Sequence, residues 1–138
     1  MQLSEFLDFD AIKTSLSGGN KRSLLQQLAG LSERERLSST GLGQGVAIPH
    51  GKIEGLTRIY GLFVRLAEPI DYKALDKQPV DLIFLLLSPP EAGAEHLKAL
   101  AAVSRVTRNA STLEKMRGAR SRDALAAVLM GADERDAA

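Results

Sequence analysis

The longest apolar run in the chain is Val80-Asp-Leu-Ile-Phe-Leu-Leu-Leu87, broken only by Asp81. It has the length of a strand. A strand apolar on both sides belongs in the middle of a sheet with both faces covered. Ser88-Pro89-Pro90 should end it, because proline cannot donate to the ladder. A second strand is predicted over Arg58–Leu66, with Ile59, Leu62 and Val64 as its apolar positions, and Pro69–Gln78 reads as a connection. Ile12, Thr14 and Leu16 alternate with Lys13 and Ser15, a weaker strand pattern. Residues 3–8 read as a short helical turn.

Helical spacing appears in four places. Leu24, Leu25, Leu28 and Ala29 form one apolar face after the turn Ser17-Gly18-Gly19-Asn20; Asn20 is a candidate cap and Gly30 a candidate stop. The segment 32–38 is charged and reads as a solvated helix or loop. Ala94–Thr107 repeats Leu97, Leu100, Ala101, Val103 and Val106 at a period near 3.6, and His96 lies one turn before Leu100 on the same stripe. Ser111-Thr112-Leu113-Glu114 has capping-box spacing. Ser121 should cap a last helix whose Leu125, Val128 and Leu129 face the core, with Gly131 ending it and Ala132–Ala138 a frayed tail. The pattern therefore predicts one α/β (α+β) domain over residues 1–138, with its core at about 3–131 and a mixed sheet flanked by helices.

A chain of 138 residues suits one domain with a sizeable core. Its 18 Lys and Arg balance 17 Asp and Glu, so charge gives no reason to expect nucleic acid as a partner. The absence of cysteine removes disulfides, thiol catalysis and cysteine-based zinc sites, and agrees with a cytoplasmic location. The N-terminus lacks the basic-then-apolar form of a signal peptide, and no run reaches the ~20 apolar residues of a membrane helix. No direct membrane insertion is expected.

Candidate chemistry concentrates in Gly41-Leu-Gly-Gln-Gly-Val-Ala-Ile-Pro-His50-Gly-Lys52. Val46–Ile48 is short and β-branched, Pro49 holds Ile48 extended, and Gly51 permits a turn. His50 should thus be presented at the end of a short strand, at a rigid turn. That mounting suits a nucleophile; a structural histidine, the commoner role of a lone histidine, also fits there. The glycines do not make a dinucleotide fingerprint, because an extended run closed by proline follows them where a helix is needed. Nor do they make a Walker loop: Gly45 and Gly51-Lys52 are separated by five residues rather than four, and Ile53 replaces the required Ser or Thr. The two histidines, His50 and His96, lie far apart with no zinc-binding motif, so neither a metal nor a cofactor is expected. No nucleophile elbow is present.

Ser39 to Lys52 closely resembles the active-site segment of the bacterial phosphotransferase-system (PTS) IIA domains of the mannitol/fructose type, within which it is most similar to the nitrogen-regulatory branch, the PtsN proteins. The likeness continues through Gln78-Pro79-Val80-Asp81-Leu82 and the His96-Leu97 helix start, and spans roughly residues 1–131. The resemblance implies a mixed sheet flanked by helices. It implies that His50 accepts a phosphoryl group from an HPr-type (NPr-like) phosphocarrier, that His96 lies beside it, and that Arg34, sixteen residues before His50, helps bind the phosphate. Arg36 has no assigned role. The chain departs from the family between Gln27-Leu28-Ala29-Gly30 and Leu31-Ser32-Glu33-Arg34, where family members carry a further helix; either that helix is lacking or the sequence omits a stretch there.

These residue types suit phosphoryl transfer. Imidazole is partly neutral and nucleophilic near pH 7. A transferring phosphoryl group needs alignment and charge stabilisation more than covalent help. An arginine fork holds two phosphate oxygens, a second histidine can donate to the phosphate, and glycines near the nucleophile allow close approach and offer backbone N–H groups. Leu42 and Ile48 are candidates for an apolar rim or for core. Three functions compete: a phosphocarrier, either regulating a target protein in nitrogen-related or transport control or handing phosphate to a sugar-specific IIB domain; a non-catalytic binding module with the same fold; and a small hydrolase using His50 as a base.

Overall fold

The structure, a computed structural model, describes residues 1–16, 38–71 and 78–137. The expected helix around Leu24–Ala29, the charged segment through residue 37, Arg34, Arg36 and Asp76 lie outside the described residues. Five strands, β1 (Lys13–Leu16), β2 (Ser38–Gly43), β3 (Val46–Lys52), β4 (Tyr60–Ile70) and β5 (Val80–Ser88), form one sheet in the order β1-β4-β5-β3-β2. The β1–β4 and β3–β5 pairs are parallel, and the β4–β5 and β2–β3 pairs antiparallel. Three helices follow among the described residues: α1 (Ala94–Thr107), α2 (Ala110–Gly118) and α3 (Arg122–Ala137). Two short 3₁₀ turns, Leu3–Glu5 and Phe9–Ala11, precede β1.

The apolar run is the central strand, as its composition requires. Along β5 and its neighbours the side chains sort by alternation. Val46, Ile48, Phe63, Leu82, Phe84 and Leu86 join one buried cluster with Val103, Val106, Met116, Leu125 and Leu129 of the helices. Phe63 and Phe84, paired across β4 and β5, pack at a tilt of 57° with ring centroids 4.8 Å apart. Ala47, Val64 and Ile83 point to the opposite face, in a second cluster.

Several expectations are corrected. The strand expected over Arg58–Leu66 begins at Tyr60 and runs through Pro69 to Ile70. Its register with β5 shifts between Arg65 and Ile70, and such an irregularity accommodates a proline that donates nothing to the ladder. The glycine segment is a β-hairpin: Gly43, Gln44 and Gly45 all have positive φ at its turn, which is why glycine is needed there. Arg117 of α2 braces this turn, donating to the Gln44 carbonyl and to both oxygens of Asp81. On α1 the expected face is rotated. Leu97 and Ala101 are exposed, while Ala99, Ala102, Val103 and Val106 are buried.

At α2 the cap is Asn109, whose side chain accepts from the Thr112 N–H, so Ser111 lies inside the helix rather than capping it. Ser121 does cap α3, accepting from the Ala124 N–H at 3.0 Å. That helix does not end at Gly131 but continues to Ala137. Ala132 is buried, and the buried Asp133 carboxylate accepts from the N–H groups of Leu3 (2.6 Å) and Ser4 (3.2 Å). The expected frayed tail is therefore, as far as Asp133, a packed helical turn that holds the start of the chain.

Candidate functional site

His50 sits within β3 rather than at its end; the strand continues through Gly51 to Lys52, because β5 runs parallel beside it and pairs His50 with Leu86, Gly51 with Leu87 and Lys52 with Ser88. On the other side Ser38 of β2 pairs with His50. Alternation puts His50 on the same face as Val46 and Ile48, the face that the helices cover. His50 is only partly buried. Its Nδ1 lies 2.9 Å from the Ile48 carbonyl oxygen. A carbonyl only accepts, so Nδ1 carries the proton and Nε2 keeps a free electron pair. In the neutral ring this arrangement leaves Nε2 with the chemistry a nucleophile needs.

His96 enters from the first turn of α1, just after β5 ends. Gly93, at the N-cap position with φ 52°, offers no side-chain cap, and a helix start of this kind favours an anion. The two imidazoles, distant in sequence, stand with ring centroids 5.3 Å apart and planes inclined by 53°. His96 Nδ1 lies 2.6 Å from the hydroxyl of Ser88, the last residue of β5. Burial first, then the nearby His50 and Lys52, hold the His96 pKa below the usual imidazole value of 6.5, which keeps this ring neutral near pH 7.

The sequence-derived site residues thus divide. His50 and His96 are adjacent; Arg34 is outside the described residues. The hairpin glycines are not beside His50: Gly43 and Gly45 turn at the opposite end of β3, and Gly45 is roughly 16 Å of strand away at ~3.3 Å per residue. Of the two rim candidates, Ile48 is buried core. Leu97, expected in the core, is 67% exposed and directly follows His96. Lys52 and Ser88 are members of the cluster that sequence reasoning did not assign. Lys52 was legible as a cation two residues beyond His50 on the same side of a strand; the approach of Ser88 depends on the β3–β5 register. Among the described residues no group of His, Asp and Glu is arranged to hold a metal ion.

A family model described as "Phosphoenolpyruvate-dependent sugar phosphotransferase system, EIIA 2" matches residues 9–131. The chain belongs to this family. Among curated EIIA relatives, a nitrogen regulatory protein of Bradyrhizobium diazoefficiens is 42% identical, covering 94% of this chain and 95% of its own. A PTS system fructose-specific EIIA component of Haloferax volcanii is 38% identical over 74% of this chain and 66% of its own. Among solved structures, the nitrogen regulatory protein IIA-Ntr of Neisseria meningitidis superposes with a TM-score of 0.80 at 34% identity, covering 92% of this chain and 98% of its own. The EIIA fold and its nitrogen-regulatory likeness therefore extend over nearly the whole chain, and EIIA domains are phosphotransferase components. Among the described residues no helix is long and apolar enough to cross a membrane.

Proposed function

We propose that this EIIA domain is a regulatory phosphocarrier that accepts a phosphoryl group on His50 Nε2 from an HPr-type (NPr-like) phosphocarrier protein, and that its phosphorylation state controls binding to a target protein in the cytoplasm. The observation that carries this reading is the His50 ring itself: the Ile48 carbonyl fixes the proton on Nδ1 and leaves Nε2 as a partly exposed nucleophile beside a second, neutral imidazole. In the transfer, the phosphorus–nitrogen bond of the donor's phosphohistidine breaks, its electron pair stays on the donor ring, and a new bond forms to Nε2. No proton has to move between the proteins. The Ile48 carbonyl supports the charge that the phosphorylated ring acquires at Nδ1–H. His96 and Arg34 bind the phosphate oxygens, and Lys52 adds positive potential. Leu97, exposed beside His96, supplies an apolar contact on the rim for a docking protein.

Incubating the protein with phosphorylated HPr-type carrier tests this directly. The expected product is one acid-labile, alkali-stable phosphoryl group, absent in His50→Ala. Absence of label from the wild type would leave a binding module that has kept the fold, and release of product from an ester would point to a hydrolase. The likeness to a fructose-specific EIIA component favours a second reading, in which phosphate passes to a IIB domain. Pull-downs with phosphorylated and unphosphorylated protein separate the two: regulation requires a partner that distinguishes the forms, whereas rapid acceptance of the phosphate by a sugar-specific IIB domain, with no such partner, supports transport.

A further inference from the structure

We infer that Ser88 is a positioning residue that fixes the proton of His96 on Nε2, so that this nitrogen is a hydrogen-bond donor for the phosphoryl group on His50; the part played in transfer rests on the phosphocarrier reading above. Ser88 is fully buried at the end of β5, with its hydroxyl 2.6 Å from His96 Nδ1. Its backbone carbonyl accepts from the Ile53 N–H at 2.8 Å, and its register partner is Lys52, so the residue is held firmly beside the strand that carries His50.

A serine beside a histidine suggests a nucleophile and its base. Burial rules this out, because no substrate reaches a side chain with no exposed surface. What remains is the direction of the hydrogen bond. If Nδ1–H donated to Ser88, the serine's own proton would need another acceptor, and among the described residues its hydroxyl bonds to no other group. A buried donor without an acceptor is costlier and rarer than a spare lone pair. The hydroxyl therefore donates to Nδ1. A neutral His96 then carries its single proton on Nε2, the nitrogen left free for a ligand. The two rings become complementary: Nε2 of His50 is bare and attacks, and Nε2 of His96 is protonated and donates. Opposite tautomers follow from two different local partners, a backbone carbonyl and a buried hydroxyl.

The test is nitrogen NMR of ¹⁵N-histidine-labelled protein near pH 7.5, in wild type, Ser88→Ala and Ser88→Thr, followed by single-turnover phosphoryl transfer from a phosphorylated HPr-type carrier. In the wild type, His96 should show a bare Nδ1 and a protonated Nε2. Ser88→Ala should give a mixture of tautomers in an otherwise unchanged spectrum, with transfer slowed roughly five- to tenfold, the scale of one neutral hydrogen bond. Ser88→Thr keeps the hydroxyl and should keep the tautomer. A protonated His96 Nδ1 in the wild type, or an unaltered His96 tautomer in a folded Ser88→Ala, overturns the inference even when His50 takes label normally. A tautomer that shifts as expected in a protein that takes no label overturns the phosphocarrier reading, and with it any part for Ser88 in transfer.

Discussion

His50 and His96 are the same residue type in one cluster, yet their hydrogen-bond partners differ. The Ile48 carbonyl accepts from Nδ1–H of one ring and so holds the proton on that nitrogen; burial and neighbouring groups keep the other neutral. His50→Ala should abolish phosphoryl labelling. His96→Ala should leave His50 phosphorylatable but slow transfer, by the ~2–4 kcal/mol in barrier that removal of one preorganised donor costs. Arg34→Ala is expected to slow transfer on the same scale while the domain stays folded, and unchanged rates would make it an ordinary surface charge. Phosphorylation should also reverse the shift at His96: a phosphate beside the ring favours the imidazolium, so the His96 pKa should rise when His50 is phosphorylated. An NMR titration of both forms reads this, and an unchanged His96 titration would separate the ring from the phosphate.

At the scale of elements, the last helix and the hairpin carry consequences that their sequences conceal. Asp133 accepts from two backbone N–H groups of the first 3₁₀ turn, so Asp133→Ala leaves the buried Leu3 N–H unpaired. It should cost roughly 1–3 kcal/mol of stability, read as a lower urea midpoint with phosphoryl transfer unchanged. Truncation after Gly131 should cost more, since the buried Ala132 goes too; a midpoint equal to wild type would restore the view of this segment as a loose tail. At the hairpin, a Cβ on Gly45 would collide with the Arg117 guanidinium and approach Asp81 Oδ1 to 3.0 Å, at a backbone φ of +82°. Gly45→Ala should therefore destabilise the turn through both strain and loss of the Arg117–Asp81 pair. Arg65 does a similar bracing task on β4, donating to the carbonyls of Met116 and Ala119 at the end of α2.

Across the whole molecule, the parallel pairing of β3 with β5 brings the C-terminal ends of both strands to one end of the sheet, where His50, Lys52, Ser88 and the start of α1 meet. The bracing ion pair lies at the opposite end, so the brace and the candidate site are separated by the length of the strands. The low His96 pKa couples the two through pH. Below an unfolded-state pKa of about 6.5 the unfolded chain binds a proton that the folded site resists. His96 therefore contributes nothing to this dependence above that value, and lowers stability progressively as pH falls from it toward the folded pKa. Thermal melts of wild type and His96→Gln should diverge in slope over that window, with the wild type losing stability faster on acidification. Parallel slopes would mean that His96 titrates alike in both states.

Local physical chemistry was enough to place the central strand, the bounds of α1 and the cap at Ser121, because an apolar run, a 3.6-residue period and a hydroxyl at a helix start each act over a few residues; it singled out the Ile-Pro-His-Gly segment without deciding what His50 does. The resemblance carried by those residues led to the EIIA family, to which the chain belongs. Other features depended on groups from distant segments. His50 remains in a strand past Pro49 because β5 pairs with it. The face of α1 is set by which side meets the sheet, which exposes Leu97 where periodicity alone would bury it. Gly131 fails to stop α3 because Asp133 has partners at the other end of the chain. Sequence decides what each residue is able to do; the pairing of strands decides that His50 and His96 do it 5.3 Å apart, since register and approach are properties of two segments at once and neither segment encodes them alone.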